Sequence, residues 1–411
     1  VVRPAPENPR GARWWGWSVA LAGLVQLALF ALATGPGLAG TADSGYYLHA
    51  AGTLRAAGHL LHPDGSAYRY WPPLYPVLVA LSGSLGALRL LHGAALVISL
   101  LAWSRLGRRL LPGALALVLP WLLAFGTPWL VVSKFVWGET VFLALFAGYA
   151  GALFRWLRLG EARWWWLATA LGFLLPLQRT AGFFLLAGTA LALLLTRRAG
   201  GWKRLLPVAG HAWLAVLGGV AWHVYALLLA APSVYRLNRG WPQFVSSAAD
   251  YGFVLSRWLL PVRATWRPEL SWVWALVLLG LLALLWPRAA RLATADAGLR
   301  RTELPEPHRF LRVLWMATLV FLTMLLVSTT FTRSAAGLYD AERYASVLFG
   351  PATLLALWKL GRWLEAWGRR GRASWLVTGF LALWVAYSAG RSISNALALR
   401  KLVPVEWPAV Q

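Results

Sequence analysis

The sequence predicts an all-α polytopic membrane protein, and three observations carry that class. The chain is 59% hydrophobic and only 13% charged, about half the charge of a soluble domain. Uncharged apolar runs recur along its whole length, many close to the ~20 residues that cross a hydrocarbon core as a helix. The third is an uneven distribution of positive charge between alternate loops, taken up below.

Eleven spans are predicted, at about 17–35, 90–104, 113–131, 139–154, 164–177, 182–196, 205–230, 270–287, 313–331, 343–358 and 374–390. They leave a short N-terminal segment, 1–16, and a tail, 391–411, on opposite sides of the membrane. Residues 17–390 form one transmembrane domain, with two large loops on the side away from the N-terminus, 36–89 and 231–269. The chain begins Val-Val rather than with Met, so a preceding segment is expected. The first run, Trp17 to Gly35, has no small-residue cleavage site and reads as an anchor.

Of the 39 lysines and arginines, 24 fall in the loops on the N-terminal side, and the acids lean the other way. The positive-inside rule places the N-terminus in the cytoplasm and the two large loops outside, across the cell's inner membrane. The net charge of +25 is therefore a topology signal that also attracts anionic lipid, not a nucleic-acid footprint. The same rule settles Pro73 to Leu88. As a span it would move Arg105, Arg108 and Arg109 outside, so it is read as an interfacial or re-entrant helix on the outer face.

Twenty-eight tryptophans are many. Trp14, Trp15 and Trp17, then Trp164, Trp165 and Trp166, then Trp363 and Trp367, sit at span ends, where interfacial anchoring explains them. Trp71, Trp137 and Trp241 lie on the outer side and are alternatives for a sugar-binding platform. No cysteine is present, which excludes disulfides, thiol nucleophiles and thiolate metal sites. No Lys, Arg, Asp or Glu lies inside a predicted span away from its ends, which argues against ion-coupled transport. His211 and His223 do lie inside one, 12 residues apart, and read as helix-packing residues.

Polar chemistry must then sit in the outer loops. The stretch Thr41 to Pro76 is the richest. Ser44 to Ala57 has the pattern of an amphipathic surface helix capped by Ser44, with Tyr47, Ala51, Leu54 and Gly58 on one face. Pro63-Asp64-Gly65 is a turn, and Trp71-Pro72-Pro73 forces an extended entry into the next helix. Gln243 to Leu260 reads as a second surface helix.

Asp43 stands just before the first of these helices, where it is either a plain helix-terminal acid or a general base at the membrane boundary. Glu139 opens the fourth span, as a cap or as a second acid facing the same outer cavity. Arg69, Arg179 and Arg343 map to the same face. Planar guanidinium donors suit an oxyanion, although interfacial arginines also bind lipid headgroups nonspecifically. Acids and arginines on one face suit transfer from a phosphate-linked amphiphilic donor, the base activating an acceptor and the arginines holding the departing phosphate. Tyr46, Tyr47, Trp71, Tyr75 and Tyr344 are candidates for contact with sugar or acceptor.

Four local patterns also carry a resemblance: TADSGYYLHAAGTLRAAG after the first span, PPLYP entering the next helix, the acid opening the fourth span followed by a small Arg cluster and LLPLQRTAGFFLL, and the late ERYASVLFGP. In this order, over about residues 17–360, the chain resembles the polyprenyl-phosphate-dependent GT-C glycosyltransferases, of the bacterial protein O-mannosyltransferase-like and aminoarabinose-transferase-like group. The resemblance implies a GT-C fold and an inverting transfer of one sugar from an undecaprenyl-phosphate-type carrier, on the extracytoplasmic face. It matches Asp43 to the family's base, Glu139 to the acid of the fourth span and Arg343 to the late Arg-Tyr. Where the family often has a second acid or a basic residue before the Pro-Pro, this chain has Ser44 and Trp71, with Arg69 as the expected substitute.

Some members bind a divalent metal. Here only His59, His62 and Asp64 hint at a ligand set, and no other cofactor is implied. Many members carry a soluble C-terminal domain, which is not expected within these 411 residues. The implied partners are a polyprenyl-phosphate-linked sugar, a lipid, glycan or protein acceptor, and membrane lipids. The competing readings are a transporter of lipid or lipid-linked sugar, and a non-catalytic partner in an envelope-assembly complex.

Overall fold

The computed structural model describes residues 9–69, 71–197, 205–229, 241–262, 265–266, 271–287, 306–331, 338–366 and 371–407. The basic stretches 198–204 and 288–305, all of 230–240 and Trp367 lie outside them.

Among these residues the secondary structure is helical, with three isolated β-bridges and no strand. In chain order the helices are α1 (Pro9–Ala33), α2 (Ala42–Ala57), α3 (Leu74–Ser82), α4 (Leu85–Leu110), α5 (Gly113–Ala124), α6 (Thr127–Lys134), α7 (Glu139–Leu159), α8 (Ala162–Gln178), α9 (Gly182–Arg197) and α10 (Leu206–Leu228). There follow α11 (Trp241–Arg257), α12 (Ser271–Leu285), α13 (Glu306–Phe331), α14 (Leu338–Ala345), α15 (Phe349–Ala366) and α16 (Gly371–Arg400). Among the described residues seven helical stretches are long and apolar enough to cross a membrane, and two shorter ones, 182–196 and 271–285, are apolar as well.

Each predicted span contains helix, but several bounds differ. The third is broken at Phe125 and Gly126 into α5 and α6. The Gly126 Cβ position would meet Phe349 at 2.5 Å, so only glycine lets α15 approach here. The tenth begins at Phe349, not at residue 343. Arg343 belongs instead to the short α14, separated from α15 by a 3₁₀ turn, Ser346–Leu348. The last span is a helix as far as Arg400, ten residues further than expected. Pro73 to Leu88 resolves into the nine-residue α3 and the start of α4, divided at Gly83, which adopts φ +69°. Nine residues rise about 14 Å, too few to cross.

The cap of α2 is Thr41 rather than Ser44. Ser44 is the third helical residue, and its Oγ accepts from the Thr41 backbone N–H at 3.0 Å, the reciprocal half of a capping box. The expected second surface helix is α11, but it is packed rather than lying free. It runs against α12 so closely that a Cβ at Gly252 would fall 1.9 Å from Trp274 O.

The core is aromatic and tightly packed. Trp103, Trp129, Trp137, Tyr149, Phe142 and Phe146 are fully buried. His211 links α10 to α7 and α8, through Tyr149 Oη at 3.0 Å and Thr169 Oγ1 at 2.9 Å. His223 bonds Gly219 O on its own helix at 2.8 Å. Both are the packing residues expected. The tryptophans at helix ends divide. Trp14, Trp17, Trp166 and Trp363 are exposed, whereas Trp15 and Trp164 lie under arginines.

Three extended segments meet where the site is built. Ala39 N–H donates to Lys134 O at 2.8 Å, Val136 N–H donates to Ala39 O at 3.0 Å, and Val405 N–H donates to Leu38 O at 2.8 Å. The stretch between α1 and α2 is thus held between the α6–α7 connection and the C-terminal tail. Lys134, fully buried, adds a bond from Nζ to Gly37 O at 2.8 Å.

Candidate active site

Four elements bring four charged side chains together. Asp43 lies in the first turn of α2, Glu139 is the first residue of α7, Arg179 follows the last residue of α8, and Arg343 lies on α14. Arg343 donates through Nη1 to Asp43 Oδ2 at 2.7 Å and through Nε to Glu139 Oε1. Arg179 Nη1 pairs with the same Glu139 oxygen. Asp43, Glu139, Arg179 and Arg343, four of the expected site residues, therefore form one continuous cluster.

Local hydrogen bonds dictate that meeting. The N-terminus of α2 is pinned to the segment before α7, because Ser44 Oγ donates to Val136 O at 3.0 Å and Trp137 Nε1 donates to Thr41 Oγ1 at 2.9 Å. The end of α8 is tied to the start of α7 by Gln178 Nε2, which donates to Gly138 O at 2.8 Å. The end of α14 is fixed by Trp129 Nε1, which donates to Ser346 O at 3.1 Å. The Arg343 guanidinium rests 4.0 Å from the centre of the Trp137 ring, within cation–π range. Tyr344 lies 5.6 Å from the guanidinium carbons of both Arg179 and Arg343.

Exposure within the cluster is graded. The side chains of Glu139 and Arg343 are 1% and 6% exposed, Arg179 is 18% exposed and Asp43 is 29% exposed. Burial acts against the charge of Arg343, but Glu139 and Asp43 outweigh it and hold its pKa above the ordinary value. Glu139 is thus the buried organiser and Asp43 the carboxylate that solvent can reach. Glu139 Oε2 is buried and has no hydrogen-bond partner among the described residues.

The aromatic candidates separate into exposed and enclosed. Tyr46 is exposed and stacks, tilted, on Trp71 at 5.1 Å. With Ala42, Gly45, His62, Pro63 and Asp64 it lines an open depression of about 470 Å³. Ala42 and Gly45 flank Asp43 in the same helical turn, so this depression opens beside the acid. Tyr47 and Tyr75 are buried and meet edge to face at 5.0 Å. Burial pushes the Tyr47 hydroxyl pKa up, against the opposing influence of Arg179. Tyr75 Oη donates to His92 Nε2 at 3.0 Å, since His92 Nδ1 donates to Ser133 O. Both rings are thus enclosed in the packing behind the cluster, not presented on the surface as Tyr46 is.

Arg69 is directed elsewhere. The bridge between Leu61 and Ala67 turns the chain so that Arg69 Nη1 donates to Leu229 O, beyond the end of α10, at 2.7 Å. It is not one of the four charged residues that the ion pairs join. Trp137 is likewise no platform on the surface but the buried shelf beneath Arg343. Among the described residues no three His, Asp or Glu side chains are grouped to hold a metal. His62 Nε2 accepts from Arg69 N–H at 3.2 Å, and Asp64 Oδ1 accepts from Ser66 N–H at 2.9 Å. The donor set does not fit a divalent ion.

No protein-family model and no curated protein sequence matches the chain. Among solved structures it is similar to ArnT from Cupriavidus metallidurans bound to undecaprenyl phosphate, at 15% identity over 84% of this chain and 78% of that one, with a TM-score of 0.43. The apo form of that protein gives the same identity and coverage, with a TM-score of 0.44. The oligosaccharyltransferase of Archaeoglobus fulgidus, tethered to an acceptor peptide, is similar at 15% identity over 95% of this chain and 55% of that one, with a TM-score of 0.48.

Proposed function

We propose that this protein is a membrane glycosyltransferase of the GT-C type that moves one sugar from a polyprenyl-phosphate carrier to an acceptor hydroxyl, with Asp43 as general base. The single observation that supports this most is the shared guanidinium of Arg343, which joins the partly exposed Asp43 to the buried Glu139. A base, and a cation able to take a phosphate, stand within one hydrogen bond of each other.

In the proposed reaction the donor phosphate docks on Arg343 and Arg179, which draws Arg343 away from Asp43. Asp43 then accepts the proton of the acceptor hydroxyl as that oxygen attacks the anomeric carbon. The bond between that carbon and the phosphate oxygen breaks, and the two guanidiniums stabilise the phosphate as its charge grows. A single displacement inverts the anomeric configuration. Glu139 holds both arginines in register and takes no proton. Tyr46 and Trp71, in and behind the depression beside Asp43, supply the aromatic surface for sugar or acceptor. The site opens on the membrane face away from the basic loops, which the positive-inside rule makes extracytoplasmic.

The test is release of free polyprenyl phosphate from polyprenyl-phosphate-linked hexoses and pentoses by the purified protein in lipid vesicles, with lipid, glycan and peptide acceptors supplied. Release with at least one donor and acceptor pair supports the reading. Movement of the donor across the vesicle membrane without release supports transport instead and overturns it.

A further inference from the structure

A second built cleft lies at the other end of the bundle. Arg155 is 16 residues along α7 from Glu139, about 24 Å at 1.5 Å per residue. There Arg105, Arg108 and Arg109 from α4 and Arg155 and Arg158 from α7 line one cavity of about 600 Å³. Among the described residues no acid lines it, and Arg105, Arg109, Arg155 and Arg158 form no ion pair. Two of the guanidiniums are held in place by rings. Arg108 lies 4.6 Å from the centre of Trp15, and Arg155 lies 4.2 Å from the centre of Trp164. Stacking fixes a guanidinium through its face, so that Arg155 can still donate through its N–H edges.

The positive-inside rule explains why arginines are on this side, but not why five of them, from two helices, border one hollow. Like charges gathered in a concavity repel unless an anion sits among them. One phosphate takes about two arginines in forked pairs, so Arg105, Arg109, Arg155 and Arg158 suit two phosphates. The wall is apolar, with Leu106, Leu159 and Leu167 lining the same cavity. At Gly151 a Cβ would meet nothing within 4 Å, so the floor is open. Charged rim and apolar wall together favour a lipid over a free anion, as in basic pockets between transmembrane helices that take anionic headgroups.

We propose that this cleft binds an anionic phospholipid carrying two phosphates, of the diphosphatidylglycerol class, on the membrane face opposite the Asp43 cluster. Purified protein is titrated with diphosphatidylglycerol, phosphatidylglycerol, phosphatidylethanolamine and inorganic pyrophosphate, and bound lipid is read by native mass spectrometry alongside thermal stability. The two-phosphate lipid is expected to bind most tightly and to raise the melting temperature, whereas phosphatidylethanolamine does neither. Arg105→Gln with Arg155→Gln weakens that binding by about tenfold or more. Gly151→Leu, which fills the floor and keeps all five arginines, weakens it as well, and decides the matter if the double variant fails to fold. Unchanged binding in Gly151→Leu overturns the proposal, because surface charge alone would then suffice. Pyrophosphate that displaces the lipid and stabilises equally well overturns it too, in favour of a soluble phosphate ligand.

Discussion

Arg343 and Asp43 are 300 residues apart in sequence and 2.7 Å apart in space, Nη1 to Oδ2. The pair closes a neutral set, because Glu139 and Asp43 balance Arg179 and Arg343. Neutrality has a consequence for the proposed reaction. A phosphate entering the set adds negative charge and competes with Asp43 for Arg343. Asp43, on the exposed side of the cluster, is the carboxylate that gives way, since Glu139 is enclosed and held by both arginines.

Asp43→Asn is expected to lower sugar transfer at least about a hundredfold, the usual worth of a general base. The side chain is partly exposed and one residue inside the capping box, so the fold should stand. Donor binding should be near normal, because asparagine leaves Arg343 free for phosphate. Comparing transfer rate with donor affinity in the same preparation checks this. Full activity in the variant would remove Asp43 from the reaction.

Glu139→Gln should behave differently. It leaves Arg343, almost enclosed, and Arg179 without their shared counter-charge. Breaking a buried pair by removing one partner typically destabilises by about 3–5 kcal/mol. The expected outcome is a large drop in melting temperature in detergent, before any question of catalysis. A variant as stable as the parent would make Glu139 dispensable to the architecture.

Much of this was legible in the sequence because insertion into a membrane is governed by coarse quantities. Apolar length and the bias of arginines place the spans, and all four charged groups stood at or near predicted span ends: Asp43 past the first, Glu139 opening the fourth, Arg179 between two and Arg343 opening the tenth. Arg343 was legible as a charge on the same face, but not as a residue of a separate short helix. The break before Phe349 depends on α15 packing against Gly126, a contact between distant segments. Trp137 was read as a surface ring because local pattern cannot distinguish a buried shelf from an interfacial anchor. Arg69 was assigned by proximity to Trp71-Pro72-Pro73, whereas a bridge between Leu61 and Ala67 decides its direction. Lys134 was missed entirely, since nothing nearby announces that its ammonium would reach back to Gly37.

The loop that carries Arg69 should respond to pH. Burial holds the His62 pKa below its ordinary 6.5, and its Nε2 accepts from Arg69 N–H, which requires that nitrogen to be unprotonated. For a histidine with a lowered folded value, the unfolded loop binds more protons. Its contribution to stability is therefore complete above 6.5 and is lost as pH falls through the folded value. The loop at 60–69 is expected to become more sensitive to protease as pH falls below about 6.5. His62→Gln should abolish that dependence, and cleavage rate against pH is the measurement.

The C-terminal tail should matter for catalysis although it contributes no charged group to the cluster. It pairs with Leu38 through Val405, and Leu38 lies five residues before Asp43. A Cβ at Gly40 would fall 2.9 Å from Val405 Cγ2, so Gly40→Val must push the tail away. The entry into α2 then loses one of its two neighbours. A small displacement of a reacting group costs on the order of tenfold to a hundredfold in rate, and transfer should fall within that range. Gly40→Val with Val405→Gly removes the clash from the other side and is expected to recover most of the activity. Recovery in the double variant identifies contact between these two residues as the cause. If Gly40→Val alone is fully active, or the double variant is no better than the single, the tail does not position Asp43.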